Sequence, residues 1–276
     1  MSSQPQVATP DTEDSGPLPR PLGGRHAWIT GGGHGIGAAI AAELGRLGAN
    51  LTISGRNEKA LAASARQIAA ETGVACRWQA LDIADEAALA PALGEGREAQ
   101  GPVTILVNNA GIAPSMPIGK LDLATWNAAL SVNVTAPMLL AQAALPDMLD
   151  AGFGRIVNVA STAGLRGYPF VSAYVASKHA LVGLTRALAL ELAKGPVTVN
   201  AVCPGYTETA MAEQAMRNIV QSGKTAEQAR AILARGNPQG RLVDPAEVAQ
   251  AVGWLCLPGS TAITGQSIAV AGGEVM

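Results

Sequence analysis

From residue 26 onward, short β-branched runs alternate with Ala-rich amphipathic segments. This alternation restricts the possible fold more than any other feature of the chain. His26–Thr30, Asn50–Ser54, Val74–Ala80, Val103–Asn108, Arg155–Ala160, Val197–Cys203 and Ser267–Val270 read as strands. Segments 36–47, 58–71, 85–93, 123–149, 173–194 and 245–257 read as helices. Strand runs that are apolar throughout suit strands covered on both sides, and regular strand–helix alternation suits a parallel sheet with helices on both faces. The expectation is one doubly wound α/β domain over residues 25–276, with a seven-stranded, mostly parallel sheet. The 32 glycines follow no repeat and cluster at turns, which rules out a collagen-like or low-complexity chain.

Composition removes several classes of function. With 48% hydrophobic and 14% charged residues, 276 residues can bury one large core. No run of about 18 uninterrupted apolar residues appears, so no membrane partner is expected. A net charge of −2 and an aromatic content of 3% argue against a nucleic-acid partner. Cys76, Cys203 and Cys256 are odd in number and widely spaced, which fits a reducing, cytoplasmic setting and neither a disulfide framework nor a zinc knuckle. No metal site is expected. Residues 1–24 hold five of the 17 prolines and three acids against one arginine, and read as a flexible tail.

The first strand runs into Thr30-Gly31-Gly32-Gly33-His34-Gly35-Ile36-Gly37 and then a helix. Glycines let the backbone approach a pyrophosphate closely, and a helix N-terminus offers free N–H groups and the positive end of its dipole. Gly31, Gly33, Gly35, Ile36 and Gly37 are therefore candidate dinucleotide contacts. The second strand ends Ser54-Gly55-Arg56-Asn57. An acid at such a strand end hydrogen-bonds a ribose 2′-hydroxyl, whereas a guanidinium pairs with a 2′-phosphate. Arg56 thus favours NADP(H), with Ser54 and His34 as further donors.

Tyr174 and Lys178 are four residues apart at the start of a predicted helix and share one face. A free phenol, with a pKa near ~10, is a poor acid–base catalyst at neutral pH, and an adjacent ammonium is expected to lower that value. Tyr168 and Tyr206 lack a lysine at this spacing.

The ordered motifs Thr30-Gly-x3-Gly35-Ile-Gly37, Asp82-Ile83, Asn108-Asn-Ala-Gly111, Asn133, Ser161, Tyr174-x3-Lys178 and Pro204-Gly205 resemble those of the short-chain dehydrogenase/reductase family over residues 25–273. The resemblance implies a Rossmann-like fold and a nicotinamide cofactor. It implies that Tyr174 exchanges a proton with the substrate oxygen, that Lys178 lowers its pKa and holds the ribose, that Ser161 binds the carbonyl oxygen, and that Asn133 anchors a water reaching Lys178. It further implies that Asp82 and Ile83 flank the adenine, that Asn108, Asn109, Ala110 and Gly111 line the cofactor channel, and that Pro204, Gly205, Thr207 and Thr209 approach the nicotinamide amide. A homotetramer, joined through the helices near 123–149 and 173–194 and the last strand, is also implied.

Within the family, Ile156–Gly164 and Thr198–Gly205 look most like 3-oxoacyl thioester reductases and polyketide ketoreductases, and are also similar to 3-hydroxybutyrate dehydrogenases. Residues 206–241 read as a substrate lid bearing two short apolar-faced helices. Five cations against three acids there could attract the phosphate of a coenzyme A or carrier-protein thioester. Between Ser161 and Tyr174 only Arg166 could meet a free carboxylate, so the expected substrate is a thioester or a hydrophobic ketone, reduced to a secondary alcohol. An inactive dinucleotide sensor would lack one of Ser161, Tyr174 and Lys178. All three are present.

Overall fold

The computed structural model describes residues 20–276. Seven strands form one sheet: β1 (His26–Thr30), β2 (Asn50–Gly55), β3 (Cys76–Ala80), β4 (Val103–Asn108), β5 (Gly154–Val159), β6 (Val197–Pro204) and β7 (Ser267–Val270). Their order is β3-β2-β1-β4-β5-β6-β7, and every neighbouring pair is parallel. The chain reverses direction across the sheet between β1 and β4. In an open α/β sheet, the crevice beyond the strand C-termini at such a point is where ligands bind.

Among the described residues, nine α-helices connect and cover the strands: α1 (Gly35–Arg46), α2 (Glu58–Thr72), α3 (Glu86–Gln100), α4 (Leu123–Leu130), α5 (Ala136–Asp150), α6 (Ser172–Leu192), α7 (Ala210–Gln221), α8 (Ala226–Ala234) and α9 (Pro245–Cys256). On one face Ile40 and Leu44 of α1, Leu61 and Ile68 of α2, and Val248, Val252 and Leu255 of α9 pack with Ile29, Leu51, Ile53 and Val107. On the other, Leu89 and Leu93 of α3, Leu140 and Met148 of α5 and Ala189 of α6 pack with Trp28, Leu106, Ile156 and Val199. Each such side chain, fully buried, contributes roughly 1.5–3 kcal/mol. Small residues set the spacing. A Cβ at Gly96 of α3 would enter the ring of Trp28.

Three boundaries differ from the sequence expectation. The helix expected over 85–93 continues through Pro91 to Gln100, because Leu93 and Gly96 remain on the face that meets Trp28 and the sheet. The single helix expected over 123–149 is divided by a π-helical turn, Ser131–Thr135. The tail boundary at residue 24 lies inside the packed chain: Leu22 is fully buried, and its N–H donates to the Leu47 carbonyl at 2.9 Å. Residues 1–19 of the expected tail lie outside the described residues.

By length and composition, Leu123–Asp150 is apolar enough to cross a membrane. In the fold it covers the sheet. Its Asp147 accepts from Arg97 Nε at 2.7 Å and from the Val103 N–H at 2.9 Å, which ties α5 to α3 and to the start of β4.

Candidate active site

The turn after β1 is shaped by its glycines. Gly31 and Gly35 have φ of 71° and 56°, in the left-handed region where a side chain is strained. A Cβ on Gly37 would lie 2.7 Å from the Gly31 carbonyl carbon and 2.5 Å from Asn109 Nδ2, so α1 starts against the end of β1 only because Gly37 has none. Gly33 differs. Its nearest neighbour would be Ala60 Cβ at 3.4 Å, an ordinary contact, and its φ is not left-handed. The backbone there is open to a ligand. Beside it lies a cleft of about 600 Å³ lined by His34, Arg56, Asn57, Glu58 and Lys59. A glycine cradle at a helix N-terminus that opens onto two exposed cations fits a phosphorylated dinucleotide. Lys59, in the first turn of α2, has no signature of its own in the sequence and was not anticipated.

Two sequence expectations fail at this end of the sheet. Ser54 is fully buried, and its Oγ accepts from Trp28 Nε1 at 3.1 Å, so it offers nothing to a cofactor. Asn108 is also buried and faces away from the channel. Its Nδ2 donates to Asn158 Oδ1 at 2.8 Å, and Asn158 Nδ2 donates to Thr185 Oγ1 at 2.9 Å. Asn109 does stand at the strand end. Its Nδ2 donates to the Thr30 carbonyl at 2.9 Å, while Thr30 Oγ1 accepts from the N–H groups of Asn109 and Ala110, both at 3.0 Å. Asp82 is exposed and accepts from the Ala84 N–H at 3.0 Å, with Ile83 buried beside it. Thr209 caps α7 and reaches the Gly-rich turn, since a Cβ on Gly35 would lie 3.2 Å from its Cγ2. Thr207 is buried and donates to the Gly205 carbonyl at 3.0 Å.

Ser161, Tyr174, Lys178 and Asn133 come together beyond the C-termini of β4, β5 and β6. Ser161 follows β5 and caps a short 3₁₀ turn, accepting from the Ala163 N–H at 3.1 Å. Tyr174 and Lys178 lie in the first two turns of α6. Lys178 is buried, and its Nζ donates to the Val159 carbonyl at 2.8 Å and lies 5.7 Å from the centre of the Tyr174 ring. Asn133, in the π turn, donates from Nδ2 to the Ile112 carbonyl and to Ser177 Oγ, both at 2.9 Å, and its Oδ1 accepts from the Ile112 N–H at 3.0 Å. Gly111 completes the group: a Cβ there would meet Asn133 Oδ1 at 3.0 Å and Lys178 Nζ at 3.6 Å. A π turn frees backbone groups from the usual helical ladder, and such turns recur at functional sites.

The electrostatics correct one expectation. Burial pushes the Tyr174 phenol up, while a hydrogen bond with Ser161 pulls it down and Tyr206 and Cys203 add smaller upward pushes. The Lys178 ammonium is engaged by the Val159 carbonyl, and burial brings its own pKa down to about 8. At neutral pH the phenol therefore holds its proton.

The segment expected to form a lid holds α7 and α8, and three of its five cations are paired. Arg230 bonds Glu208, Arg217 lies 3.7 Å from Glu213, and Arg241 pairs with Glu247 just beyond the segment. Arg166 stacks on Tyr168, 5.0 Å from the ring centre.

A cofactor cradle, an uninterrupted parallel sheet and a Ser–Tyr–Lys group at its C-terminal edge agree with what known proteins show. The short chain dehydrogenase family profile matches residues 25–219. This chain belongs to that family. Its members bind a nicotinamide dinucleotide and oxidise secondary alcohols or reduce ketones. The fold superposes on actinorhodin polyketide ketoreductase with NADPH at a TM-score of 0.87 and 35% identity, covering 93% of this chain and 99% of that one. The 2-(S)-hydroxypropyl-CoM dehydrogenase 3 of Xanthobacter autotrophicus is 38% identical over 246 residues, 89% of this chain and 94% of that protein. The 3-oxoacyl-acyl-carrier-protein reductase of Aquifex aeolicus is 36% identical over 252 residues, 91% and 98% of the two chains.

Proposed function

We propose that this dehydrogenase is an NADPH-dependent ketoreductase that converts a 3-oxoacyl thioester or a related hydrophobic ketone to the secondary alcohol. The observation that carries this reading is the convergence of Ser161, Tyr174 and Lys178 beside an open glycine cradle. The carrier-protein reductase and the polyketide ketoreductase among its relatives support the substrate class. Arg56 and Lys59 at the end of the cradle, with NADPH in the structural neighbour, support the 2′-phosphorylated cofactor.

Bound NADPH would supply the hydride to the carbonyl carbon. Gly31, Gly33, Gly35, Ile36 and Gly37 would hold the pyrophosphate, and His34, Arg56 and Lys59 the 2′-phosphate. Asp82 and Ile83 would border the adenine. Asn109, Ala110 and Gly111 would line the channel to the nicotinamide, and Pro204, Gly205, Thr207 and Thr209 would border its amide. Ser161 donates a hydrogen bond to the substrate oxygen and stabilises the charge that grows there. Tyr174 gives that oxygen its phenolic proton, so one hydride and one proton are added in all. A phenol kept protonated by burial is in the right state for this direction. Lys178 stabilises the phenolate left behind, and a water anchored at Asn133 would relay a proton to Lys178.

We read the assembly as a homotetramer. Leu123, Leu149 and Leu190 stand exposed on α4, α5 and α6, where such an interface would cover them.

The test is Tyr174→Phe assayed with NADPH on acetoacetyl thioesters and neutral ketones. Loss of general acid catalysis is expected to lower kcat by about 10²–10⁴-fold, with NADPH affinity retained. Full turnover in that variant refutes the mechanism.

A further inference from the structure

The C-terminal segment places a carboxylate beside the candidate active site. After β7, Gly272 and Gly273 take φ of 59° and 95° and fold the chain against the end of the 206–241 segment. A Cβ on Gly272 would strike Asn237, 2.7 Å from its Cγ, and one on Gly273 would touch Pro238 at 3.5 Å. Two left-handed residues in succession suit glycine alone, and they aim Glu274 back toward β6.

Space is left for that carboxylate. A Cβ on Gly236 would lie 2.7 Å from Glu274 Oε1, and one on Gly205 would lie 3.0 Å from Oε2. Neither glycine has a left-handed φ, so the backbone does not demand glycine at these positions, but the carboxylate does.

Glu274 is tied to the residues that border the reacting groups. Tyr168 donates from its hydroxyl to Glu274 Oε1 at 2.5 Å and also reaches Thr162 Oγ1 at 2.8 Å, next to Ser161. The Glu274 charge also adds to the upward push that burial gives the Tyr206 phenol. Among the described residues no cationic side chain pairs with Glu274. Arg166 stacks on the Tyr168 ring instead. Glu274 is only partly buried, so solvent or a ligand can reach its carboxylate.

We propose that Glu274 is a specificity-determining residue, a fixed negative charge in the wall of the carbonyl pocket that turns away ketones carrying a carboxylate beside the carbonyl and admits neutral ones. This rests on the pocket assignment made above. It explains physically why a thioester or ester would be taken and the corresponding free 3-oxo acid refused. Two like charges held near each other in a partly desolvated site repel strongly, and discrimination of this kind comes from disfavouring the wrong ligand.

The experiment compares acetoacetate with ethyl acetoacetate on the full-length enzyme, with NADPH, in wild type, Glu274→Gln and Glu274→Met. The acid-to-ester ratio of kcat/KM is expected to rise about tenfold or more in both variants, about 1.4 kcal/mol of discrimination. Calorimetric binding of acetoacetate and ethyl acetoacetate to the NADP⁺ complex, which carries no hydride to transfer, gives the corresponding ratio without turnover. An unchanged ratio in both measurements overturns the role of Glu274. Reduction of neither ketone by any form overturns the ketoreductase reading instead, while the binding ratio still decides the role of Glu274. Melting temperatures of the variants identify any that fail to fold, and the other variant then carries the test.

Discussion

Gly33 and Gly37 lie four residues apart in the same turn, yet an alanine at each should fail for a different reason. At Gly37 the added Cβ falls 2.7 Å from the Gly31 carbonyl carbon and 2.5 Å from Asn109 Nδ2. Carbon atoms pack best at about 3.5–4.0 Å, so α1 must retreat from β1 by close to an ångström or Asn109 must leave the Thr30 carbonyl. Overpacking of this kind costs about 1–3 kcal/mol, and it also pulls the helix N-terminus off its cradle. At Gly33 the nearest atom is 3.4 Å away and φ is permissive. Restricting the unfolded chain there should be neutral or stabilising by about 0.4–1 kcal/mol, while the methyl group projects into the space assigned to the pyrophosphate. Urea denaturation and NADPH fluorescence titration separate the two. Gly37→Ala is expected to lose both stability and binding. Gly33→Ala is expected to keep its stability and raise the Kd for NADPH about tenfold or more, about 1.4 kcal/mol. Twofold or smaller change in Kd for Gly33→Ala removes the phosphate role of this turn. Undiminished stability in Gly37→Ala refutes the close approach of α1 to β1.

Arg56→Asp should raise the KM for NADPH far more than that for NADH, because it replaces a cation suited to a 2′-phosphate with an acid suited to a 2′-hydroxyl; equal effects in steady-state assays remove the assignment. Burial sets Lys178 at about 8, so ketone reduction should fall as pH rises through that value and its ammonium is lost. Lys178→Arg, which stays charged, should abolish that alkaline limb, and a limb left in place in its pH–rate profile counts against Lys178 as its source. Burial also holds His26 below its ordinary 6.5, against smaller upward effects from Gly101 and Asp147. The unfolded chain then binds more protons between the two values, so stability is complete above 6.5 and declines as pH falls through the folded value. The melting temperature of His26→Gln should fall less than that of wild type between about pH 7.5 and about pH 5; parallel declines exclude His26.

The inner strands were legible because they are buried on both faces, so that almost every residue in a run such as Val103–Asn108 must be apolar or paired. The Tyr174–Lys178 pair and the glycine turn were legible for the same kind of reason: few residue types satisfy those positions. What was hidden depended on contacts made far away in sequence. Ser54 reads as a strand-end donor until Trp28 is seen to occupy it from the adjacent strand. The sequence ends α3 at residue 93, because what favours its continuation to Gln100 is the packing of Leu93 and Gly96 with Trp28 and the sheet. Lys59 and Glu274 carry no local pattern at all. Each becomes significant only when the fold places it beside a site built from other segments.

Asn108 illustrates how a motif can position a site without facing it. The sequence groups it with Asn109, Ala110 and Gly111, yet only Asn108 lies within β4, and Asn109 follows its end. Asn109 turns toward β1 and the glycine cradle, through the Thr30 carbonyl. Asn108 instead links β4 to Asn158 of β5, and Asn158 links onward to Thr185 of α6, the helix that carries Tyr174 and Lys178. Thr185 completes the chain by donating to the Leu181 carbonyl at 2.8 Å. Buried amides left without partners cost about 1–3 kcal/mol each, so this line of hydrogen bonds penalises any sliding of α6 along the sheet. One asparagine thus fixes the cradle end to β1, and its neighbour fixes the height of the phenol and the ammonium above the strand ends. The pair of adjacent asparagines thus ties both the Gly-rich turn and α6 to the end of β4.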